Sequence, residues 1–189
     1  MKYRNKYYIL RHGEALANVK NINSSWPEKF KNSLTQNGKR QVNLAAEKLK
    51  NKKVDIIIAS DLLRAKQTAQ IVAKKLKLKV TSHKNLREID FGLFNGKPAM
   101  PAKPFYSNLL GGRKGMGKSG ETYQDVLKRV YSFFKKIDKK YKDKTILLVS
   151  HQCPLWILQN KVEGFSLAHG IKHMPKEKRI GRGELRELN

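Results

Sequence analysis

Two histidines in this chain each follow a run of β-prone, apolar residues. His12 comes after Tyr7-Tyr8-Ile9-Leu10 and Arg11, and His151 comes after Thr145-Ile146-Leu147-Leu148-Val149-Ser150. Imidazole is the side chain best suited to nucleophilic or acid–base work near neutral pH. A third apolar run, Val54 to Ala59, leads into Ser60-Asp61-Leu62-Leu63-Arg64. If the three runs are parallel strands of one sheet, they all end at its carboxyl edge, where open α/β sheets hold their ligands. Arg11, His12, Arg64 and His151 then converge from distant parts of the chain. A lone strand-end histidine is usually structural, but two histidines placed jointly with two arginines point to a catalytic site.

The rest of the pattern supplies the elements that would position this set. Helical spacing of Val42, Leu44, Ala45, Ala46 and Leu49 predicts a helix from Thr35 to Lys50, with Thr35 as its cap. Leu62 to Leu76 reads as a second helix and Leu78 to Ser82 as a short strand. Residues 92–120 are rich in glycine and proline and lack periodicity, which predicts a surface excursion. Glu121 to Tyr141 reads as an amphipathic helix with Val126, Val130, Phe133, Phe134 and Ile137 on one face. A further helix is expected from about Pro154, and Gly183 to Leu188 alternates as a last edge strand does. Strands alternating with helices argue for a three-layer α/β/α sandwich around a mostly parallel central sheet. With no repeat and no linker, residues 1–189 are expected to form one domain.

Composition narrows the class. A hydrophobic share of 39% over 189 residues fits a globular chain rather than a disordered one. The single cysteine, Cys153, excludes an intrachain disulfide and a thiolate zinc cage. Tyr7 to Leu10 is too short for a secretion signal, nothing approaches a membrane span, and a cytoplasmic location is the default expectation. Lys and Arg number 41 against 15 Asp and Glu, a formal charge of +26. Such a surface attracts phosphate esters, nucleic acids and acidic membranes alike. The charges are dispersed along solvated helix faces and ends, as in Lys48 to Lys53 and Lys74 to Lys79. That dispersal fits a compositional bias better than a reading surface.

Placed in order, these motifs resemble the histidine phosphatases, the phosphoglycerate mutase-like superfamily. Arg11-His12-Gly13-Glu14 is similar to its signature tetrad, and Asn18 falls where the family carries a phosphate-contacting asparagine. Leu34-Thr35-Gln36-Asn37-Gly38-Lys39-Arg40-Gln41 resembles a family helix start, and Ser60 to Ala69 resembles the segment bearing the second arginine. Leu86 to Gly92 resembles the loop with the acid/base carboxylate, and Gly120-Glu121-Thr122 and Val149-Ser150-His151 complete the series. The resemblance implies a metal-independent phosphomonoesterase with no cofactor. His12 is the implied nucleophile, its second nitrogen tied to a backbone carbonyl. Arg11, Asn18, Arg64 and His151 are the implied phosphate ligands, with His151 donating if protonated. Glu88 is the implied general acid and then base, with Asp90 the alternative. Glu14 is either an orienting residue or a loop residue.

The chain departs from the pattern after His151, where glycine is usual and Gln152-Cys153-Pro154 stands instead. The Gln152 amide can still meet phosphate, and its side chain would reshape the pocket. Cys153 is expected to be a small buried residue. His169 and His173 lie four apart but lack further ligands, so they are read as solvent-exposed rather than as a metal face. The expected partner is a small phosphorylated substrate or phosphopeptide. Lys97, Lys103, Arg113, Lys114 and Lys118 of the excursion, with Phe105 and Tyr106, are candidates for its recognition. A mutase and a basic nucleic-acid-binding module are the less favoured alternatives, and the oligomeric state is left open.

Overall fold

A computed structural model describes residues 3–99, 120–173 and 178–188. Its centre is a five-stranded sheet of β1 (Lys6–Arg11), β2 (Ile56–Ala59), β3 (Val80–Ser82), β4 (Thr145–Ser150) and β5 (Leu185–Leu188). Their order is β3-β2-β4-β1-β5; the first four run parallel, and β5 lies antiparallel on β1 at the edge. Six helices accompany it among the described residues: α1 (Leu16–Val19), α2 (Gln36–Leu49), α3 (Leu63–Leu76), α4 (Tyr123–Lys140), α5 (Gln152–Val162) and α6 (Leu167–His173).

Period-2 alternation divides each central strand between two cores. Tyr8 and Leu10 of β1, Ile57 and Ala59 of β2, and Leu147 and Val149 of β4 face one cluster. There they meet Val42, Ala45, Ala46 and Leu49 of α2 and Ala65, Ala69 and Val72 of α3. Tyr7, Ile9, Ile58, Ile146 and Leu148 face the other, against Val130, Phe134 and Ile137 of α4 and Leu155 and Leu158 of α5. Strands buried on both faces read as unbroken apolar runs, because helices cover the sheet on both sides. The result is the expected α/β/α sandwich. Burial of one such Leu or Ile contributes roughly 1.5–3 kcal/mol, so each strand is held from both sides.

Element ends shift modestly. Thr35 caps α2 through Gly38 N at 2.9 Å, and Thr122 caps α4 with Asp125 in a reciprocal box. Leu44 of α2 is 67% exposed, so it lies off the apolar stripe in which it was counted. The third strand starts at Val80 rather than Leu78, because the chain leaves α3 through the left-handed Lys77. α5 begins at Gln152 with His151 at its N-cap, and Pro154 occupies its first turn, where no amide proton is required. The short helices α1 and α6 lacked enough periodic residues to be anticipated. The excursion residues 100–119, with Lys103, Phe105, Tyr106, Arg113, Lys114 and Lys118, lie outside the described residues.

Candidate active site

Register alone brings the two histidines together. Arg11 pairs with Ser150 across β1 and β4, and Ala59 pairs with Val149 across β2 and β4. His12, Ser60 and His151 therefore leave three adjacent strands at one level. The His12 amide donates to the Ser150 carbonyl at 3.0 Å and the Ser60 amide to the Val149 carbonyl at 2.9 Å, which carries the ladder one step beyond the strands.

His12 is 2% exposed, and both ring nitrogens have partners. Nδ1 lies 2.7 Å from the Gly13 carbonyl, and the Arg64 Nε–H donates to Nε2 at 3.1 Å. Arginine Nε always carries its proton and a carbonyl only accepts, so the two partners together fix the tautomer: Nδ1–H donates and Nε2 holds the lone pair. Burial, then the Arg64 and Arg11 charges, push the His12 pKa well below its ordinary value. The ring is accordingly neutral at neutral pH.

Arg64 sits in the first turn of α3 and is 3% exposed. Its two terminal nitrogens reach the Ser24 hydroxyl at 3.3 Å and carbonyl at 3.0 Å. Glu28 lies 3.6 Å from Arg64 Nη1 and accepts the Leu63 amide at 3.0 Å, tying the guanidinium to the helix that carries it. Burial lowers the Arg64 pKa to about 10 against the attraction of Glu88 and Glu28, leaving it a cation at neutral pH. Arg11 donates through Nη1 to the Ile180 carbonyl at 3.0 Å, while its buried Nε has no hydrogen-bond partner among the described residues.

The His151 ring is fully buried, 5.1 Å from that of His12. Its Nε2 is 2.8 Å from Ser60 Oγ, and its Nδ1 has no partner among the described residues. The Ser60 hydroxyl already accepts the Leu62 amide at 3.3 Å. Burial and the nearby cations also hold the His151 pKa well below its ordinary value.

A cleft of about 170 Å³ opens over this group, lined by Arg11, His12, Asn18, Arg64, Glu88 and Gln152, among others. His151 is too deeply buried to contribute lining surface. Glu88 enters from the loop after β3, its Oε1 accepting the amides of Ile89 at 3.0 Å and Cys153 at 3.2 Å. Asn18 uses Oδ1 to cap α1 through the Ala15 amide at 3.0 Å, which leaves its amide nitrogen for the cleft. Asp90, the alternative to Glu88, is absent from this lining. Its Oδ1 takes the Gly92 amide at 2.9 Å and shapes the following turn. Cys153 is half-buried: it lines the cleft beside Glu88 and packs against the cluster of Ile89, Tyr123 and Trp156. Burial raises its thiol pKa well above the ordinary value, which keeps it protonated.

Glu14 serves the loop. It accepts the Thr35 hydroxyl at 2.7 Å, and that bond holds its carboxyl below the usual carboxylate pKa. His169 and His173 are exposed as expected, their rings 4.4 Å apart and tilted by 35°. Four neighbours of the site escaped sequence reasoning: Ser24, Glu28, Ser60 and Arg182, the last also lining the cleft. Only Arg182 carried a visible signal, an arginine between two glycines.

The family model described as the histidine phosphatase superfamily, branch 1, matches residues 7–178. The chain belongs to the histidine phosphatase superfamily. A relative in Yersinia pestis (strain Pestoides F), a probable phosphoglycerate mutase GpmB, is 28% identical over 172 residues, covering 88% of this chain and 78% of that one. The alpha-ribazole phosphatase of Shigella flexneri superposes with a TM-score of 0.78 at 26% identity, over 95% of this chain and 88% of that one. A mycobacterial glucosyl-3-phosphoglycerate phosphatase gives 0.81 at 22% identity, over 97% and 90% of the two chains, a likeness of fold. Superfamily membership supports phosphatase or phosphoryl-transfer chemistry in general.

Proposed function

We propose that the chain is a phosphomonoesterase that works through a phosphohistidine on Nε2 of His12. One observation carries the reading: Nε2 is unprotonated, faces the cleft and lies within 3.1 Å of the Arg64 Nε–H. A phosphoryl group arriving there takes over that N–H, and Arg11 and Arg64 balance the two negative charges of a phosphate monoester. The lone pair of His12 forms the N–P bond as the P–O bond to the alcohol breaks. Nδ1–H keeps its bond to the Gly13 carbonyl and stabilises the positive charge that the ring acquires.

The departing alkoxide takes a proton from Glu88. Its Oε1 is engaged by two amides, so Oε2 is the oxygen that carries the proton. The resulting carboxylate then deprotonates the water that attacks phosphohistidine, releasing inorganic phosphate and restoring His12. The buried His151 ring backs His12 at 5.1 Å and is held by its contact with Ser60. Asn18 and Gln152 supply uncharged contacts. Every step uses side chains of this chain and none requires a metal.

The GpmB relative's name favours a second reading, in which the phosphoryl group returns to another hydroxyl of the same substrate. A screen of phosphorylated metabolites with EDTA present, run on wild type and His12→Ala, tests both. Inorganic phosphate released by wild type alone supports the phosphatase; an isomerised ester supports the mutase. Full activity in His12→Ala, or activity lost to EDTA, overturns the mechanism.

A further inference from the structure

Three arginines line the cleft: Arg11, Arg64 and Arg182. Arg64 already lies 3.6 Å from Glu28, and Arg11 donates to the Ile180 carbonyl at 3.0 Å. Arg182 stands apart from both. Its side chain lines the cleft and is 43% exposed, whereas Arg64 is buried. A cation at the rim faces the alcohol part of a bound ester, while the buried pair faces its phosphorus. The only ion pair of Arg182 among the described residues is a long one, 3.9 Å to Glu14, whose other carboxylate oxygen is bound at 2.7 Å by Thr35.

The backbone places Arg182 with little freedom. The Gly183 amide donates to the carbonyls of both Arg11 at 3.1 Å and His12 at 3.2 Å. Arg11 returns its own amide to the Glu184 carbonyl at 3.2 Å and its Nη1 to the Ile180 carbonyl at 3.0 Å. Residues 180–184 are thereby stitched to the strand end that carries the nucleophile. Gly183 has φ +67°, and a Cβ there would come within 2.6 Å of Gln41 Cβ. Glycine is what lets the turn lie this close.

We infer that Arg182 is a specificity residue that binds a second anionic group on the alcohol side of the substrate, a carboxylate or a second phosphate. The inference rests on the phosphatase reading above. Guanidinium recognises both groups through paired N–H donors, whereas a neutral hydroxyl at that place leaves Arg182 without a partner.

Two matched substrate pairs test it. Glycerol 1-phosphate and 3-phosphoglycerate differ by a carboxylate, and fructose 6-phosphate and fructose 1,6-bisphosphate differ by a phosphate. Wild type is expected to prefer the more anionic member of at least one pair in kcat/KM. Arg182→Gln should reduce that preference at least tenfold, mainly through KM, and Arg182→Lys should restore part of it. The pair that responds identifies the group. No preference in wild type, or the same preference in Arg182→Gln, overturns the assignment. Turnover of p-nitrophenyl phosphate by wild type, abolished in His12→Ala, reports separately on the phosphatase reading, so the two failures are distinguishable.

Discussion

The Arg64 Nε–H points straight at the free nitrogen of His12, 3.1 Å away. A cation bonded to a lone pair prevents that nitrogen from being protonated. Lysine cannot reproduce this contact together with the two bonds to Ser24, because its ammonium lacks the planar fork. Arg64→Lys is therefore expected to lose about 10²-fold or more in kcat/KM, on the scale of one lost oxyanion donor. Steady-state kinetics with p-nitrophenyl phosphate measures it, and a loss below threefold would contradict the role.

Buried neutral histidines also set how stability depends on pH. The folded-state pKa values of His12 and His151 lie well below the ordinary histidine value, chiefly through burial. As pH falls through roughly 6.5 the unfolded chain takes up protons that the folded rings refuse. Unfolding is favoured by that uptake, so stability is full above this pH and declines steadily below it. Urea denaturation between pH 7.5 and 5 should show the decline, with a shallower slope in His12→Asn. Equal slopes would mean that His12 is not held neutral by the fold.

The same depression keeps the His12 ring in its free-base form. An ordinary histidine would lose half its free base near pH 6.5, whereas kcat/KM for this chain should show no His12 titration there. A pH profile measured with p-nitrophenyl phosphate from pH 8 to 5 checks it. A drop with a midpoint near 6.5 that follows protonation of His12 by NMR would contradict the assigned tautomer and burial.

Gly13 and Gly38 lie back to back. A Cβ on Gly13 would fall 2.4 Å from the Gly38 carbonyl oxygen, and one on Gly38 would fall 2.0 Å from the Glu14 carbonyl oxygen. Both obstacles are backbone, which cannot swing aside. Gly38→Ala should lose about 1–3 kcal/mol in chemical denaturation, as overpacked sites do. It should also lower kcat, since the displaced loop carries the carbonyl that orients His12. Unchanged stability would show that the loop yields without strain.

If Glu88 protonates the leaving group, its removal matters in proportion to how much the leaving group needs a proton. Glu88→Gln should slow hydrolysis of alkyl phosphates by about 10²–10⁴-fold and that of p-nitrophenyl phosphate far less. Equal losses on both would assign Glu88 to binding.

Much of this site is legible in sequence because strand ends are. Arg11-His12 and Ser150-His151 directly follow apolar runs, and Arg64 stands a few residues past a third. Parallel pairing then forces the three exits to one edge. Side chains that act through a neighbour are harder to read. Ser60 contacts His151 from another strand, and Ser24 and Glu28 reach Arg64 from a loop with no periodicity, so no local pattern announces them. Leu44 misleads for the opposite reason: its type fits a core stripe, but its angular position on α2 faces solvent. Asp90 and Glu88 are two residues apart with the same chemistry. Only the loop geometry sends one carboxylate to the cleft and the other into a turn.

The central claim, a phosphoryl group carried on His12, is tested most directly by trapping it. Wild type mixed with a ³²P-labelled phosphomonoester and quenched in alkali during turnover should retain label that survives base and is lost in acid. Peptide mapping should place that label on His12, and His12→Ala should show neither label nor turnover. Rapid turnover with no trapped label under any quench, or a His12→Ala variant that hydrolyses the ester at the wild-type rate, would contradict it.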